Sequence, residues 1–150
     1  MPSSSGSCIF CAILSQPEDS PIVFEDSVSM AFLDHRPLFP GHCLLIPREH
    51  HETLMDLPSG LIQPLFANAQ LLARAVEEAM QAEGTFVAMN NRVSQSVPHL
   101  HIHIVPRRKK DGLRGFFWPR QKYKDVEEMQ AARNAICEAL QRSGKIGVRA

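Results

Sequence analysis

Histidine and large apolar residues alternate strictly over residues 99–104, and this run constrains the fold more than any other part of the chain. In a β-strand, side chains two residues apart point to the same face of the sheet. We therefore expect His99, His101 and His103 to share one face, with the apolar residues between them in a core. Because those apolar residues suit a strand, the pattern disfavours a loop or a disordered histidine tract.

The rest of the chain predicts short strands and two helices. Apolar residues recur at helical spacing from Ile62 to Met80, after Ser59 and before Gly84. A second helix is predicted to begin after Asp125, with Glu128 completing a capping box. Strands are predicted over residues 22–24, 29–34, 42–46, 85–90 and 100–105. Because strands and helices do not alternate regularly, we expect an α+β fold with a mainly antiparallel sheet, one long helix and one C-terminal helix.

Length and charge exclude several classes of protein. A chain of 150 residues suggests a single domain, with residues 1–7 as a flexible leader. Sixteen basic and sixteen acidic residues give a net charge of zero, which excludes a strongly basic nucleic-acid coat and an acidic disordered tail. We expect no specific nucleic-acid partner and no membrane partner. Since no Lys or Arg precedes Arg36, a secretory signal is not predicted, and we expect a cytoplasmic protein with reduced cysteines.

Three aligned imidazoles can bind a metal ion, take part in catalysis, or have no functional role. Alternate histidines on a strand can converge on a metal ion. They can also combine nucleophilic and acid–base roles, because imidazole titrates near neutral pH. Exposed histidines without a role are the third interpretation. For nucleophilic attack, one ring nitrogen must offer a lone pair while the other is held by an acceptor, for which we expect a carbonyl of the strand.

The segment 99–105 fits the signature of the histidine triad (HIT) family at every position, and the chain resembles that family over nearly its whole length. Further segments in the family's order are 8–11, 31–34, 40–42, 46–50 and 95–97. The resemblance implies a HIT-like fold whose sheet continues across a homodimer. It also implies hydrolysis or transfer at the α-phosphate of a purine nucleotide, with nucleoside phosphoramidates or dinucleoside polyphosphates as substrates.

The resemblance also implies roles for individual residues. His101 is similar to the nucleophile that forms a nucleotidyl-histidine intermediate, His103 to a phosphate-contacting or proton-handling partner, and His42 to a further active-site histidine. No catalytic metal is required. The implied nucleotide-binding residues are Asp34 at the ribose, Phe10, Ile13 and Phe32 around the base, Ser96 near the leaving group with Gln95 beside it, and an Asn at the phosphate, Asn90 before Asn91.

Cys8 and Cys11 form a C-x-x-C pair, a spacing that suits two ligands of one tetrahedral zinc ion. The resemblance to bacterial-type family members supplies two further ligands, His50 and His99. We therefore predict a structural zinc site of Cys8, Cys11, His50 and His99. Two buried cysteines without a metal are the alternative.

Residues 107–124 contain eight basic residues and one acid, interleaved with aromatic residues. This segment is either a solvated loop or a positive rim for a nucleotide's phosphates. Residues 105–107 resemble the dinucleoside polyphosphate hydrolases of the family, and Trp118-Pro119 resembles its phosphoramidases. Which of these two branches the chain belongs to therefore stays open. Two other functions also stay open: a nucleotide-sensing module without turnover, and a metalloprotein that uses all three triad histidines.

Overall fold

The computed structural model describes residues 8–114 and 121–144, and it divides the chain into two compact units between Asp111 and Gly112. The leader at residues 1–7 and the aromatic run at 116–120 lie outside the described residues. The first unit contains, in order, helix α1 (Ile9–Ser15), strands β1 (Ile22–Glu25), β2 (Ser29–Leu33) and β3 (Cys43–Pro47), helix α2 (Ser59–Ala79), and strands β4 (Gly84–Ala88) and β5 (Ile102–Arg107).

The five strands form one antiparallel sheet in the order β1-β2-β3-β5-β4. Strand β5 therefore lies between β3 and β4, and β1 and β4 are the edge strands. Leu44 of β3 pairs with His103 of β5, which fixes the register at the centre of the sheet. The predicted α+β class with a mainly antiparallel sheet is confirmed.

Helix α2 spans 21 residues and packs one apolar face against the sheet. Its buried residues recur at helical spacing: Leu65, Ala69, Leu72 and Val76. Pro64 falls in the second turn, where it lacks the N–H that would donate to the Gly60 carbonyl. The Asn68 amide donates to Asp26 Oδ2 at 2.7 Å and to Ser29 Oγ at 2.8 Å, which ties the helix to the β1–β2 turn.

The second unit contains helix α3 (Val126–Arg142). Asp125 is its N-cap, because the Asp125 carboxylate accepts from the Glu128 amide at 2.8 Å. The predicted capping box is only half formed, since the Glu128 carboxylate accepts from the Lys124 amide instead. Apolar residues recur along α3, and Val126, Met129 and Ile136 among them are exposed.

The predicted strands differ from the observed ones by one or two residues. The main difference is β5, which begins at Ile102 rather than at residue 100, so His99 and His101 lie just before the strand. The alternation still holds, because Leu100, Ile102 and Ile104 are fully buried in the core between the sheet and α2. Among the described helices, none combines the length and hydropathy needed to cross a bilayer.

Candidate functional site

The three triad histidines lie on the side of their segment away from the main core, as the alternation predicts. The rings of His101 and His103 have centroids 5.0 Å apart. His99 is fully buried, and His101 is nearly so. Phe10 of α1 packs edge-on against both rings, at 5.9 Å from His99 and 5.2 Å from His101.

The main chain fixes the protonation of His101. Its Nδ1 lies 2.7 Å from the carbonyl oxygen of His99, and a carbonyl can only accept. Nδ1 therefore carries the hydrogen, and neutral His101 keeps a lone pair on Nε2. The sequence predicted a carbonyl of the strand in this role; the observed acceptor lies just before β5, and it leaves His101 equipped as a nucleophile.

His42 and His103 form a hydrogen-bonded pair next to His101. The Leu38 amide donates to His42 Nδ1 at 3.1 Å, so neutral His42 carries its hydrogen on Nε2. That nitrogen lies 3.0 Å from His103 Nδ1, which accepts, and neutral His103 then carries its hydrogen on Nε2. The pair therefore presents a donor beside the nucleophile.

Burial keeps this pair neutral near pH 7. It lowers the pKa of His103 to about 4, with the neighbouring His101 and His42 adding to the effect. Burial also lowers the pKa of His42, although Asp34 Oδ2, 3.8 Å from His42 Nε2, opposes the shift.

A cavity of about 350 Å³ opens beside the triad. Its walls include five of the residues predicted to bind a nucleotide, namely Phe10, Ile13, Phe32, Asp34 and Ser96, together with His101 and His103. Helix α1 and strand β2 supply the apolar walls, and Asp34 follows directly after β2. Apolar walls at one part and histidines at another suit a ligand with a flat base and a charged group.

The remaining predicted nucleotide-binding residues are engaged in the loop before the triad. Gln95 accepts from the Arg92 amide at 2.8 Å and donates to the Glu52 carbonyl at 2.6 Å. The Asn90 amide donates to the Ser94 carbonyl at 3.1 Å. Asn91 accepts from the Leu54 amide at 2.8 Å. In this structure these side chains shape the loop, and the cavity walls described above do not include them.

Sequence reasoning missed several residues of the cavity. His35, which the sequence analysis gave no role, lies at the cavity next to Asp34 and has an 88% exposed side chain. Its position directly after Asp34 was the available signal. The other residues missed are Ile9, Asp19, Ser20, Pro21, Leu33, Leu44 and Val97.

Cys8, Cys11, His50 and His99 converge at the start of α1, with ligand atoms all within 4.8 Å of one another. Cys8 Sγ lies 3.5 Å from His99 Nδ1, and Cys11 Sγ lies 3.3 Å from His50 Nδ1 and 3.6 Å from His99 Nδ1. For Zn–S and Zn–N bonds of about 2.3 and 2.0 Å, tetrahedral geometry places a sulfur and a nitrogen about 3.5 Å apart. His99 Nε2 donates to the Pro47 carbonyl at 2.9 Å, which leaves Nδ1 free to bind a metal. The four residues therefore fit a zinc ion.

The basic residues at the end of β5 contact acidic and carbonyl groups of the turn that follows and of the segment between α2 and β4. Arg107 forms two hydrogen bonds with Asp111, at 2.6 and 3.0 Å. The Arg108 guanidinium donates to the Met80 carbonyl, and the Lys109 amide donates to Glu83 at 2.7 Å. Of the described residues, those that line the cavity include no Lys or Arg, so histidines, serine hydroxyls and backbone amides are the donors available there.

Comparisons with known proteins converge on one family. The family model described as the HIT domain matches residues 16–110. An adenosine 5′-monophosphoramidase of Saccharomyces cerevisiae is 36% identical over 117 residues, which cover 76% of this chain and 71% of the relative. An adenylylsulfatase of Arabidopsis thaliana is 32% identical over 71% of this chain and 55% of the relative. An asymmetrical bis(5′-nucleosyl)-tetraphosphatase of Schizosaccharomyces pombe is 32% identical over 63% of this chain and 53% of the relative.

Two solved structures show the same fold. A HIT family member from Bacillus subtilis superposes with a TM-score of 0.78 at 32% identity, over 88% of this chain and 96% of that one. A zinc-bound histidine triad family protein from Mycobacterium smegmatis superposes with a TM-score of 0.68 at 34% identity, over 93% and 99% of the two chains. Cys8 and Cys11 precede the range that the family model matches.

Proposed function

Because the chain belongs to the HIT domain family, we propose that it hydrolyses or transfers nucleoside monophosphates at the α-phosphate of phosphoramidates or dinucleoside polyphosphates. The observation that carries the proposal is the protonation of the two histidines at the cavity. His101 offers a lone pair on Nε2 because its Nδ1 donates to the His99 carbonyl. His103 offers a hydrogen on Nε2 because its Nδ1 accepts from His42.

The proposed reaction has two displacement steps at phosphorus. His101 Nε2 attacks the α-phosphorus, the N–P bond forms, and the bond from phosphorus to the leaving group breaks. In the first step the leaving group takes a proton from solvent as its bond to phosphorus breaks. In the second step water attacks the same phosphorus, its oxygen stays there, and the electron pair of the N–P bond returns to His101 Nε2. The proton that this water releases to solvent replaces the one taken by the leaving group. His103 stabilises charge on the phosphoryl oxygens in both steps by donating from Nε2. Asp34 is positioned at the cavity to accept from the ribose hydroxyls, and Ser96 can donate to the leaving group.

The named relatives support a nucleotide substrate and leave the leaving group open. Their names refer to an adenosine phosphoramidate, an adenylyl sulfate and a bis(5′-nucleosyl) tetraphosphate as substrates. What these reactions share is a nucleotide's α-phosphate, which is the part that the histidine side of the cavity suits.

The test is to incubate the protein with α-³²P-labelled adenosine phosphoramidate and diadenosine polyphosphates, with and without a chelator. We expect turnover that persists in the chelator, together with a labelled protein intermediate. His101→Ala is expected to lose the label and to lower the rate by about 10³-fold or more. His35→Ala, which removes an exposed histidine at the same cavity, is expected to keep the label.

Other outcomes would favour the alternatives. Tight binding of AMP without turnover would indicate a sensing module. Turnover that depends on added metal would indicate a metalloprotein that uses the triad as ligands.

A structural zinc ion at Cys8, Cys11, His50 and His99 completes the proposal. Two thiolates and two imidazoles would hold the ion in a closed tetrahedral site, and it would supply stability rather than chemistry. We expect about one zinc per chain by elemental analysis, lost in Cys11→Ser and retained in the control Cys137→Ser. Thiols that must stay reduced support a cytoplasmic location.

A homodimer that pairs two copies of β4 would make one continuous sheet. Strand β4 is an edge of the described sheet, and Val87 on it is 45% exposed. Exposed Ile62 and Phe66 on α2, which packs against β4, add apolar surface. We expect Val87→Lys to produce monomers in light scattering. Val23→Lys, at a 49% exposed site on the opposite edge strand, should leave the dimer intact.

A further inference from the structure

A second group of potential metal ligands lies inside the proposed active site. A carboxylate oxygen of Asp34, an imidazole nitrogen of His42 and one of His103 lie within 4.8 Å of one another. Two imidazoles and one carboxylate, with open positions beside them, form a ligand set that binds iron, zinc and related ions. The distances alone therefore do not show which of the two clusters, this one or the cysteine–histidine cluster, can bind a metal ion.

The main-chain amide of Leu38 distinguishes the two clusters because it determines which nitrogen of His42 carries the hydrogen. It donates to His42 Nδ1 at 3.1 Å, and an amide nitrogen cannot accept in return. A neutral imidazole has one hydrogen, so His42 must carry it on Nε2, the nitrogen that faces His103 and Asp34. A metal at that nitrogen would move the hydrogen to Nδ1, where it would oppose the Leu38 N–H at hydrogen-bond distance.

His99, one of the two histidines of the other cluster, has the opposite arrangement. His99 Nε2 lies 2.9 Å from the Pro47 carbonyl, an acceptor, so the hydrogen is held there and Nδ1 keeps its lone pair toward the two sulfurs. The main-chain group that faces each ring thus decides its use. A carbonyl leaves the far nitrogen as a ligand or nucleophile, whereas an amide leaves it as a donor.

The loop that carries the Leu38 amide forms two hydrogen bonds with His42. The His42 main-chain amide donates to the Phe39 carbonyl at 3.0 Å, and the ring accepts from Leu38. The Leu38 side chain is 50% exposed, so the contribution of this residue to the site comes from its main chain. Burial lowers the pKa of both His42 and His103, which keeps the two rings in the neutral forms that the argument uses.

We propose that the Leu38 main-chain amide is a positioning group that holds His42 as a donor to His103 and keeps transition-metal ions out of the Asp34–His42–His103 cluster. It acts through His42 and touches no reacting atom. The role of His103 as a phosphate donor rests on the proposed function, whereas the protonation pattern and the exclusion of metal do not.

The first test uses the wild-type protein. Long-range ¹H–¹⁵N correlation spectra of the imidazoles report which nitrogen of each ring carries the hydrogen. We expect Nε2–H for His42 and His103 and Nδ1–H for His101. Observation of His42 with its hydrogen on Nδ1 would overturn the proposal, whether or not the protein turns over nucleotides.

The second test removes the amide hydrogen. Leu38→Pro has no N–H, and Leu38→Ala keeps it while changing the same side chain. In zinc titrations followed by calorimetry, we expect one site in wild type and in Leu38→Ala. Leu38→Pro should gain a second site that binds at least about tenfold more tightly than any second site of the control, and His103→Asn should remove it.

Equal second-site affinities in Leu38→Pro and Leu38→Ala would contradict the exclusion of metal by this amide. If Leu38→Pro does not fold, the spectra of the wild-type protein decide the matter. Neither measurement requires turnover, so failure of the proposed hydrolase activity would be recognised separately.

Discussion

At the scale of single residues, similar side chains acquire different chemistry from the main-chain atoms next to them. His99 and His101 each face a carbonyl, and His42 faces an amide. The alternating sequence pattern predicted which histidines share a face. It could not predict His42's donor role, because that depends on the conformation of a loop four residues away.

Gly41 is the residue whose conformation most directly limits the position of His42. It has φ +97°, and a Cβ at this position would lie 2.6 Å from Met80 Cγ. We expect Gly41→Ala to lower the free energy of unfolding by about 2 kcal/mol, from backbone strain and the displacement of Met80. Activity should fall with it because His42 follows directly.

Gly60→Ala is the matched control for that substitution. Gly60 lies in the first turn of α2 with no atom within 4 Å of an added Cβ, so the change should be neutral or stabilise by about 0.5–1 kcal/mol. Chemical denaturation measures both variants. Equal stabilities would mean that the Met80 contact does not constrain the loop.

The loop before the triad shows where residue-level prediction fails. Arg92 and Ser94 both have positive φ, at 69° and 60°, although neither is glycine. Sequence patterns assign such conformations to Gly or Asn, so the backbone conformation of this loop could not be predicted from the sequence. Its geometry turns Gln95 toward the backbone of Arg92 and Glu52. The Gln95 side chain, which was predicted to contact a nucleotide, is therefore hydrogen-bonded to main-chain atoms in this structure.

At the scale of elements, α1 serves two sites at once. Cys8, its N-cap, and Cys11 belong to the metal cluster, while Ile9, Phe10 and Ile13 line the cavity. The sequence predicted Cys8 and Cys11 for the one site and Phe10 and Ile13 for the other, but it did not predict Ile9. The helix itself was not predicted, because seven residues are too few for helical periodicity to be recognised.

Because α1 contributes to both sites, we expect the binding of zinc and the binding of nucleotide to be coupled. Removing zinc, or the Cys11→Ser substitution, should weaken AMP binding by about 5-fold or more because the base wall loses its anchor. By linkage, AMP should tighten zinc binding by the same factor. Calorimetry measures the first effect, and chelator competition measures the second.

Cys137→Ser, which alters a cysteine of α3, is the control and should change neither affinity. AMP affinities that are equal with and without zinc would contradict the coupling, even if zinc binds as proposed.

At the scale of the whole molecule, buried neutral histidines make stability depend on pH. The pKa of His103 in the folded state is about 4, below its ordinary value of 6.5, and that of His42 is also lowered. The unfolded chain therefore binds more protons, and folding stability rises with pH across this window. The contribution is fully present above about pH 6.5 and is lost as the pH falls toward 4.

We expect the melting temperature of metal-free protein to fall between pH 6.5 and 4, and His103→Asn to reduce that fall. His35→Asn, at an 88% exposed side chain, should leave it unchanged. Thermal unfolding in a chelator, which removes any effect of metal release, measures all three proteins. A pH dependence identical in wild type and His103→Asn would contradict the assignment.

The strand order is the feature of the whole fold that sequence reasoning could not supply. Hairpins and an antiparallel sheet follow from local patterns, but the insertion of β5 between β3 and β4 depends on where α2 returns the chain. That return is set by packing of Leu65, Ala69 and Leu72 on the sheet rather than by any turn signal. The single-domain interpretation stays a prediction, since the residues after Asp111 form their own compact unit.

The position of α1 in the chain also has a consequence for how the protein is made. Cys8 and Cys11 meet partners that lie 91 and 39 residues further along, at His99 and His50. Synthesis proceeds from the N-terminus, so the two thiols leave the ribosome well before the triad segment exists. Contacts of such sequence separation form late in folding. A nascent chain would thus carry two unpaired thiols until its final strands emerge, and premature oxidation or metal capture in that interval is the hazard that this order of synthesis creates.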